Sequence, residues 1–434
     1  MSRKICVISG TRAEWYLLRN LCKYIKQDNE LTLQLIVTAA HLSQDFGFTY
    51  QEIEKEFKID KKIQVLLSND DKIGICKSMG LLQISLCEAF EELKPDIVVI
   101  LGDRYEMLSC ATVAMINNIP IAHLHGGELT YGAIDDAIRH SITKMSHLHF
   151  PSTQEYANRV IQLGEHPSNV FNVGGFGVDN IKSMVLLSKT ELEEKLNFIF
   201  FENTLLVTFH PVTLENNSPK TQFNELLIAL SLFLKDKQNA IIFTKANADV
   251  GGKIINSMID DFVLKHENTI AFDNMGALNY LSSMQFVKAV VGNSSSGLTE
   301  APSFKIATIN IGDRQKGRVK ADSVIDVLPK KEEILKVINL VLTDEFQNSL
   351  KKVKNPYGEG DAAFKTKEIL KNEKLTTSED NFSKKISSVL ENSKDLKTEL
   401  ANTKNIQNLQ NQNQDLKINL ENLLNTQEKQ LKTD

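Results

Sequence analysis

Short apolar runs recur along this 434-residue chain, and most are followed by an amphipathic stretch of helical length. The first six runs lie at 4–9, 31–37, 63–67, 97–101, 119–124 and 148–150. Helical patterns fall at 13–26, 72–93, 104–116 and 154–163. Strands that are apolar on both faces and alternate with helices specify a parallel sheet covered on both sides. Pro95 and Pro120 stand just before strands, where a missing N–H is tolerated. Past Gly174-Gly175 the pattern restarts with a helical stretch at 180–196. Strands at 205–209, 240–243, 286–291 and 307–311 then alternate with helices at 224–234, 252–265, 277–283 and 331–342. The expectation is an α/β chain of two Rossmann-like domains, 1–178 and 179–371, facing a cleft, the last helix packing back on the first domain.

Charged residues are 24% of the chain, hydrophobic residues 42%, and the net charge is −5. That balance offers no large cationic surface and argues against a nucleic-acid partner. No apolar run approaches a membrane span, and the N-terminus enters a strand without a signal-peptide core, so a cytoplasmic protein without a membrane partner is expected. Cys6, Cys22, Cys76, Cys87 and Cys110 are scattered, odd in number and form no Cys-x-x-Cys, which fits reduced thiols in that compartment. Residues 372–434 are polar and lack Pro and Gly. Ile406, Asn413 and Leu420 recur every seven residues, and Leu409, Leu416 and Leu423 follow three residues later. This is either a short coiled-coil-like seam that mediates assembly or a single polar helix that frays.

The loops after the strands carry the chemistry. Gly292-Asn-Ser-Ser-Ser-Gly-Leu-Thr-Glu-Ala-Pro302 reads as strand, small-residue loop and helix start near Leu298, a geometry that collects anions. Ser294, Ser295 and Ser296 add hydroxyl donors, and Glu300 is placed to accept from ribose hydroxyls. The plain alternative is a loop that only caps a helix. Gly10-Thr-Arg12 offers a cation after the first strand, and Gly102-Asp103-Arg104 an acid after the fourth. His123-Leu-His125-Gly-Gly-Glu128 crowds imidazole and carboxylate at the fifth strand, continuing to Asp135-Asp136 and Arg139-His140. In the second half, His210 precedes Pro211 at a strand end. The dinucleotide fingerprint Gly-x-Gly-x-x-Gly is absent after the first strand, which disfavours a nicotinamide enzyme. His123 and His125 alternate onto one face, as do His147 and His149, but a hydrogen-bonded core role is favoured over a metal site. A serine nucleophile at 294–296 lacks the strained Gly-x-Ser-x-Gly elbow.

Together these blocks resemble the hydrolysing UDP-N-acetylglucosamine 2-epimerases of sialic-acid and related nonulosonic-acid biosynthesis. The carriers are Gly-Thr-Arg-Ala-Glu at 10–14, Leu-Gly-Asp-Arg-Tyr-Glu at 101–106, His-Gly-Gly-Glu at 125–128 and the run 135–149. Phe-His-Pro-Val-Thr at 209–213, Gly-Asn-Ser-Ser-Ser-Gly at 292–297 and 309–318 complete the set, so the likeness spans roughly 4 to 370. The resemblance implies a glycosyltransferase-B-type fold, a nucleotide-sugar substrate, a homodimer or homotetramer, and no metal or cofactor. It implies that Arg12, Arg104, Ser294, Ser295 and Arg314 hold the diphosphate and Glu300 the ribose. Asn274 would meet the nucleobase, His210 the sugar or phosphate side, while Asn247 and His41 would line the sugar pocket. Asp103 and Asp135 fall on acid–base positions. Many relatives carry Glu where this chain has His125, so His125 or Glu128 takes that role. The substrate is UDP-N-acetylglucosamine or UDP- or GDP-linked N,N'-diacetylbacillosamine; Trp15 to Arg19 and Phe243 to Asn247 look closer to the latter branch. The competing readings are a glycosyltransferase of the same fold and a non-catalytic nucleotide-sugar binder.

Overall fold

The computed structural model describes residues 2–44, 47–65, 72–129, 134–211, 219–246 and 252–374. Among these, the strands are β1 Arg3–Ser9, β2 Leu31–Thr38, β3 Lys61–Ile63, β4 Ile97–Leu101, β5 Ile121–Leu124 and β6 Leu148–Phe150. They continue as β7 Asn203–Thr208, β8 Asn239–Thr244, β9 Thr269–Phe272, β10 Ala289–Gly292, β11 Ala307–Ile311 and β12 Val324–Val327. The first sheet runs β3-β2-β1-β4-β5-β6 and the second β12-β11-β10-β7-β8-β9. All pairings are parallel, and the second sheet repeats the winding of the first. Strand order therefore reverses between β1 and β4, and again between β7 and β10. Loops leaving the carboxyl ends of those strands splay apart and open a crevice.

Each sheet carries a core of the expected kind. Val7, Leu35, Val99 and Leu124 lie in one apolar cluster, and Leu205, Ile241, Val291 and Ile309 in another. The expected helix at 180–196 is two helices, Phe176–Ser183 and Lys189–Leu196, the second restarted by a capping box at Ser188 and Glu191. The third strand ends at Ile63, and residues 66–67 of the expected run lie outside the described residues. The last helix, Ala362–Asn372, sends Ala362, Ala363 and Leu370 into the core of the first sheet. Asp179 fixes its start, accepting from the Ala362 N–H at 2.9 Å and the Ala363 N–H at 2.6 Å. Two carboxylate oxygens on two free amides is an efficient helix cap.

One expectation needs correction. The helix Lys72–Leu93 has 22 residues and a mean hydropathy of 1.3, so by length and composition it could cross a membrane. Here Leu82, Leu86, Ala89 and Phe90 pack onto Ile8, Ile36 and Ile100 of the first sheet. The heptad positions of the tail, and the tail itself beyond residue 374, lie outside the described residues.

Candidate active site

Thr11 and Glu14 shape the loop after β1. The Thr11 hydroxyl accepts from the Glu14 N–H at 3.2 Å, and Glu14 Oε2 accepts from the N–H groups of Gly10 at 2.8 Å and Thr11 at 2.9 Å. This reciprocal cap starts the helix Arg12–Gln27 and puts Arg12 in its first turn on the cleft. Glu14 Oε1 is buried with no hydrogen-bond partner among the described residues. Burial raises the Glu14 carboxyl to about 7, against the pull of the Gly10 N–H and Arg104. After β4, Gly102 turns the chain at φ +75°. Arg104 reaches the cleft but is already forked onto Glu106, Nε to Oε2 at 3.1 Å and Nη2 to Oε1 at 2.8 Å.

The two histidines of the next loop part company. His123 is fully buried, its Nε2 2.8 Å from the Gly102 carbonyl and its Nδ1 3.1 Å from the Thr143 hydroxyl. Burial lowers its pKa to about 3, so it is a neutral core residue. His125 sits at φ +60°, in the left-handed region. That twist breaks the strand alternation and turns its ring into the cleft, so the expected shared face does not exist. Gly127, at φ +82°, then folds the chain so tightly that a Cβ would lie 2.3 Å from the Tyr156 carbonyl. The tight passage brings Glu128 back beside His125, Oε1 to Nδ1 at 3.5 Å. Burial lowers the His125 pKa, with Glu128 opposing. Burial disfavours the charged form of Glu128 too, but His125, Arg318, Arg139 and the Ser152 hydroxyl together hold its pKa below the usual carboxylate value.

Asp103 meets this group from β4. Its carboxylate pairs with Arg139 Nη2, while Arg139 Nη1 donates to the Glu128 carbonyl at 2.7 Å. Burial raises the Asp103 pKa; Arg139 opposes, and Asp135 and Glu128 reinforce it. Asp135 opens the helix Ile134–Met145, one turn before Arg139, and lines the same cleft.

The second sheet supplies the opposite wall. Gly292 ends β10 at φ +134°, and a Cβ there would lie 1.9 Å from the Thr208 carbonyl. Asn293 follows, fully buried, and its side chain is bonded to the backbone of His210. The helix expected from Leu298 is a single turn, Ser296–Thr299, followed by a 3₁₀ turn, Ala301–Phe304. Pro302 has no N–H to continue the α-helical ladder. A one-turn helix has little dipole, so an anion here would be met by loop amides and the hydroxyls of Ser294, Ser295 and Ser296. The Ser296 hydroxyl donates to Glu300, whose pKa is raised by burial. Asn274 is held in its turn by accepting from the Gly276 N–H at 2.9 Å.

One cleft of ≈ 1160 Å³ joins both walls. From the first sheet it takes Arg12, Asp103, Arg104, His125, Glu128 and Asp135; from the second, His210, Asn274 and Ser294 to Ser296 with Glu300. His41 is elsewhere: fully buried, its Nε2 is 2.9 Å from the Ser9 hydroxyl and its Nδ1 2.8 Å from that of Thr49. Arg314 lies under the serine loop, donating to the Asn293 carbonyl at 2.9 Å, not on the cleft lining. Asn247 lies outside the described residues. The cleft adds residues to which the sequence reading gave no role: Glu14, Arg139, Lys245, Tyr280 and Arg318. For Arg139 the signal was its spacing, four residues after Asp135 on one helix face.

A family model described as UDP-N-acetylglucosamine 2-epimerase matches residues 23–371. The chain is 54% identical over 325 residues, covering 75% of it and 84% of the relative, to a Campylobacter jejuni protein named GDP/UDP-N,N'-diacetylbacillosamine 2-epimerase (hydrolyzing). It is 40% identical over 379 residues, 87% of this chain and 96% of the relative, to the Escherichia coli polysialic acid biosynthesis protein P7. A Legionella pneumophila protein named UDP-N,N'-diacetylbacillosamine 2-epimerase (hydrolyzing) is 34% identical over 377 residues, 86% of this chain and 97% of that one. Among solved structures, UDP-GlcNAc 2-epimerase from Neisseria meningitidis bound to UDP-GlcNAc aligns with a TM-score of 0.72 at 20% identity, over 85% of this chain and 99% of that one. That likeness speaks to the fold, two facing doubly wound sheets of glycosyltransferase-B type. The chain belongs to the UDP-N-acetylglucosamine 2-epimerase family, on the branch whose members are named as hydrolysing.

Proposed function

We propose that this chain is a hydrolysing nucleotide-sugar 2-epimerase acting on UDP- or GDP-linked N,N'-diacetylbacillosamine. Its products would be free 2,4-diacetamido-2,4,6-trideoxymannose and the nucleoside diphosphate, for nonulosonic-acid synthesis in the cytoplasm. The observation that carries the reaction is one cleft with Asp103, His125, Glu128 and Asp135 on one wall and the hydroxyls of Ser294 to Ser296 on the other. The substrate rests on the name of the relative at 54% identity.

In this reading Ser294, Ser295, Arg12 and Arg318 meet the diphosphate and Glu300 the ribose. The sugar then lies against Asp103, His125, Glu128 and Asp135, with His210 on the far side. His125, kept neutral by burial, takes the C2 proton, and the Glu128 carboxylate stabilises the imidazolium that forms. The C1–O bond breaks with its electrons leaving on the diphosphate, whose charge the arginines and loop donors receive. A glycal-like alkene remains. Water adds at C1, and a proton returns to the opposite face of C2 from Asp103, whose raised pKa suits it to carry one. Closure of two domains divided near residue 178 would exclude bulk water during elimination.

Proton NMR in D₂O tests this with three donors in parallel: UDP-N-acetylglucosamine, UDP-N,N'-diacetylbacillosamine and GDP-N,N'-diacetylbacillosamine. The expected result is free 2-epimerised sugar carrying deuterium at C2, fastest with a diacetamido donor. Fastest turnover of UDP-N-acetylglucosamine would overturn the substrate. Nucleotide release with the C2 configuration and proton intact would overturn the reaction itself and leave a glycosyltransferase hydrolysing its donor.

A further inference from the structure

Two buried tyrosines meet beside the loop that carries His125 and Glu128, and neither takes part in the proton transfers. Tyr156, in the helix Gln154–Gln162, is fully buried, and Tyr357, two hundred residues further on, is buried against it. Their hydroxyls lie 3.2 Å apart, and both grip Val319, in the stretch between β11 and β12. The Val319 N–H donates to the Tyr156 hydroxyl at 3.0 Å, and the Tyr357 hydroxyl donates to the Val319 carbonyl at 3.1 Å. Since Tyr357 spends its proton on that carbonyl, Tyr156 is the donor in the bond between the two hydroxyls. The three bonds close a ring in which every proton has one place. Burial raises the pKa of both tyrosines, so those protons stay.

The backbones of the same two residues border His125. A Cβ on Gly127 would lie 2.3 Å from the Tyr156 carbonyl, so that peptide packs directly on the turn between His125 and Glu128. The Tyr357 carbonyl accepts from the Gly175 N–H at 2.6 Å, and the next N–H, that of Phe176, faces His125 Nε2 at 3.5 Å. Each tyrosine thus meets the surroundings of His125 with its main chain and Val319 with its hydroxyl. Val319 follows Arg318, which lines the cleft and, among the described residues, has no hydrogen bond or ion pair from its side chain. A long side chain without a partner samples many rotamers, so the placing of its charge falls to its backbone anchor.

We propose that Tyr156 and Tyr357 are positioning residues: by closing on Val319 they carry Arg318 over from the second sheet and set it against the His125–Glu128 pair of the first. His125 faces Glu128 from its own loop, Arg139 from the helix Ile134–Met145 and Arg318 from beyond β11, with Asp103 paired to Arg139 behind them. Burial lowers the His125 pKa, Glu128 opposes, and Arg139 and Arg318 add to the lowering. Arg139 is already tied to Asp103 and to the Glu128 carbonyl. Arg318 is therefore the contribution that depends on how the two sheets fit together. The catalytic meaning of this rests on the reaction proposed above; the charge effect itself does not.

The test reads the His125 pKa directly, by ¹H–¹³C NMR of the full chain labelled at histidine Cε1, with the His125 signal identified by its loss in His125→Gln. Arg318→Gln is expected to raise that pKa by on the order of half a unit or more. Tyr357→Phe keeps the ring, loses the grip on the Val319 carbonyl and should raise it in the same direction. Added to Arg318→Gln, Tyr357→Phe should move it no further, because both act through one charge. Arg318 is half-buried on the cleft, so its variant keeps the fold; if Tyr357→Phe does not, Tyr156→Phe takes its place. Tyrosines with a structural role alone would lower stability and leave the His125 pKa where it was, and that result overturns the proposal. So does an Arg318→Gln chain whose His125 titrates as in wild type, or a shift by Tyr357→Phe that persists without Arg318. In turnover, Tyr357→Phe should lower kcat/KM roughly tenfold by itself and not at all beside Arg318→Gln. The titration needs no substrate, so a chain that shows the shifts without turnover faults the reaction, and one that turns over without them faults the clamp.

Discussion

Asn293 holds His210 by both backbone groups of that residue: Oδ1 accepts from the His210 N–H at 2.7 Å and Nδ2 donates to the His210 carbonyl at 2.8 Å. The side chain thereby copies a strand partner and carries the pairing of β7 and β10 past the end of the sheet. Arg314 and Gln315 both donate to the Asn293 carbonyl, at 2.9 and 2.8 Å, so the anchor is itself held. Asn293→Ala removes both bonds to a buried backbone and should cost about 1–3 kcal/mol. Because the clamp grips backbone, its effect on turnover passes through the His210 ring. Asn293→Ala should lower kcat/KM roughly tenfold to a hundredfold. Added to His210→Ala, it should lower kcat/KM no further, which steady-state kinetics of the three variants checks.

Gly292 sits one residue earlier, where a Cβ would lie 1.9 Å from the Thr208 carbonyl. Gly292→Ala is expected to cost about 3 kcal/mol or more, since either strand must move. Gly276 also has positive φ, +70°, but open space around it. Gly276→Ala should cost about 1 kcal/mol, the conformational penalty alone. Denaturant melts of the two variants separate crowding from backbone preference.

His125 at φ +60° separates stability from activity in the same way. His125→Gly and His125→Ala both lose the ring and should both lose turnover. The glycine variant should nonetheless be more stable than the alanine variant by about 1–2 kcal/mol, because only the alanine keeps the left-handed penalty. Equal melting midpoints would contradict the strain.

Arg139 lowers the Asp103 carboxyl against the burial that raises it. Removing a cation leaves a carboxyl easier to protonate. With Arg139→Gln, any limb of the kcat/KM profile that titrates with Asp103 should move to higher pH by about one unit or more. A shift to lower pH would exclude this pairing.

Glu14 links the cleft to acid stability. Its carboxyl is raised from 4.5 to about 7 by burial. A folded pKa above the unfolded one means the protonated form favours folding. That stabilisation is full below about 4.5 and is lost as pH rises through about 7. Glu14→Gln keeps an uncharged side chain at every pH. Its unfolding free energy relative to wild type, from denaturant melts, should therefore climb between pH 4.5 and 7 by up to on the order of 3 kcal/mol.

The interior of each sheet was legible because its strands are apolar on both faces. The edge strands of the second sheet were not. Thr269–Phe272 is half-buried along its length, and Val324–Val327 carries Asp326 on an exposed position. A strand with one neighbour need not be apolar throughout, so its signal merges with loops. The site divides likewise. Asp103, His125 and Asp135 announce themselves by sitting at strand ends and a helix start. That Arg139 pairs with Asp103 depends on helix and strand meeting across the sheet, which spacing along the chain does not record. His41 shows the opposite failure: a histidine just past β2 looks free for a ligand until Ser9 and Thr49 occupy both its nitrogens.

The last helix makes synthesis of this protein a matter of waiting. β6 leaves the ribosome near residue 150, but Ala362, Ala363 and Leu370, which complete the core beneath that sheet, come some two hundred residues later. At about 5–20 residues per second the gap is on the order of ten to forty seconds. Throughout it the nascent first sheet holds an uncovered apolar strip beside the helix Arg12–Gln27, a surface on which a trigger-type chaperone could rest until the helix Ala362–Asn372 displaces it.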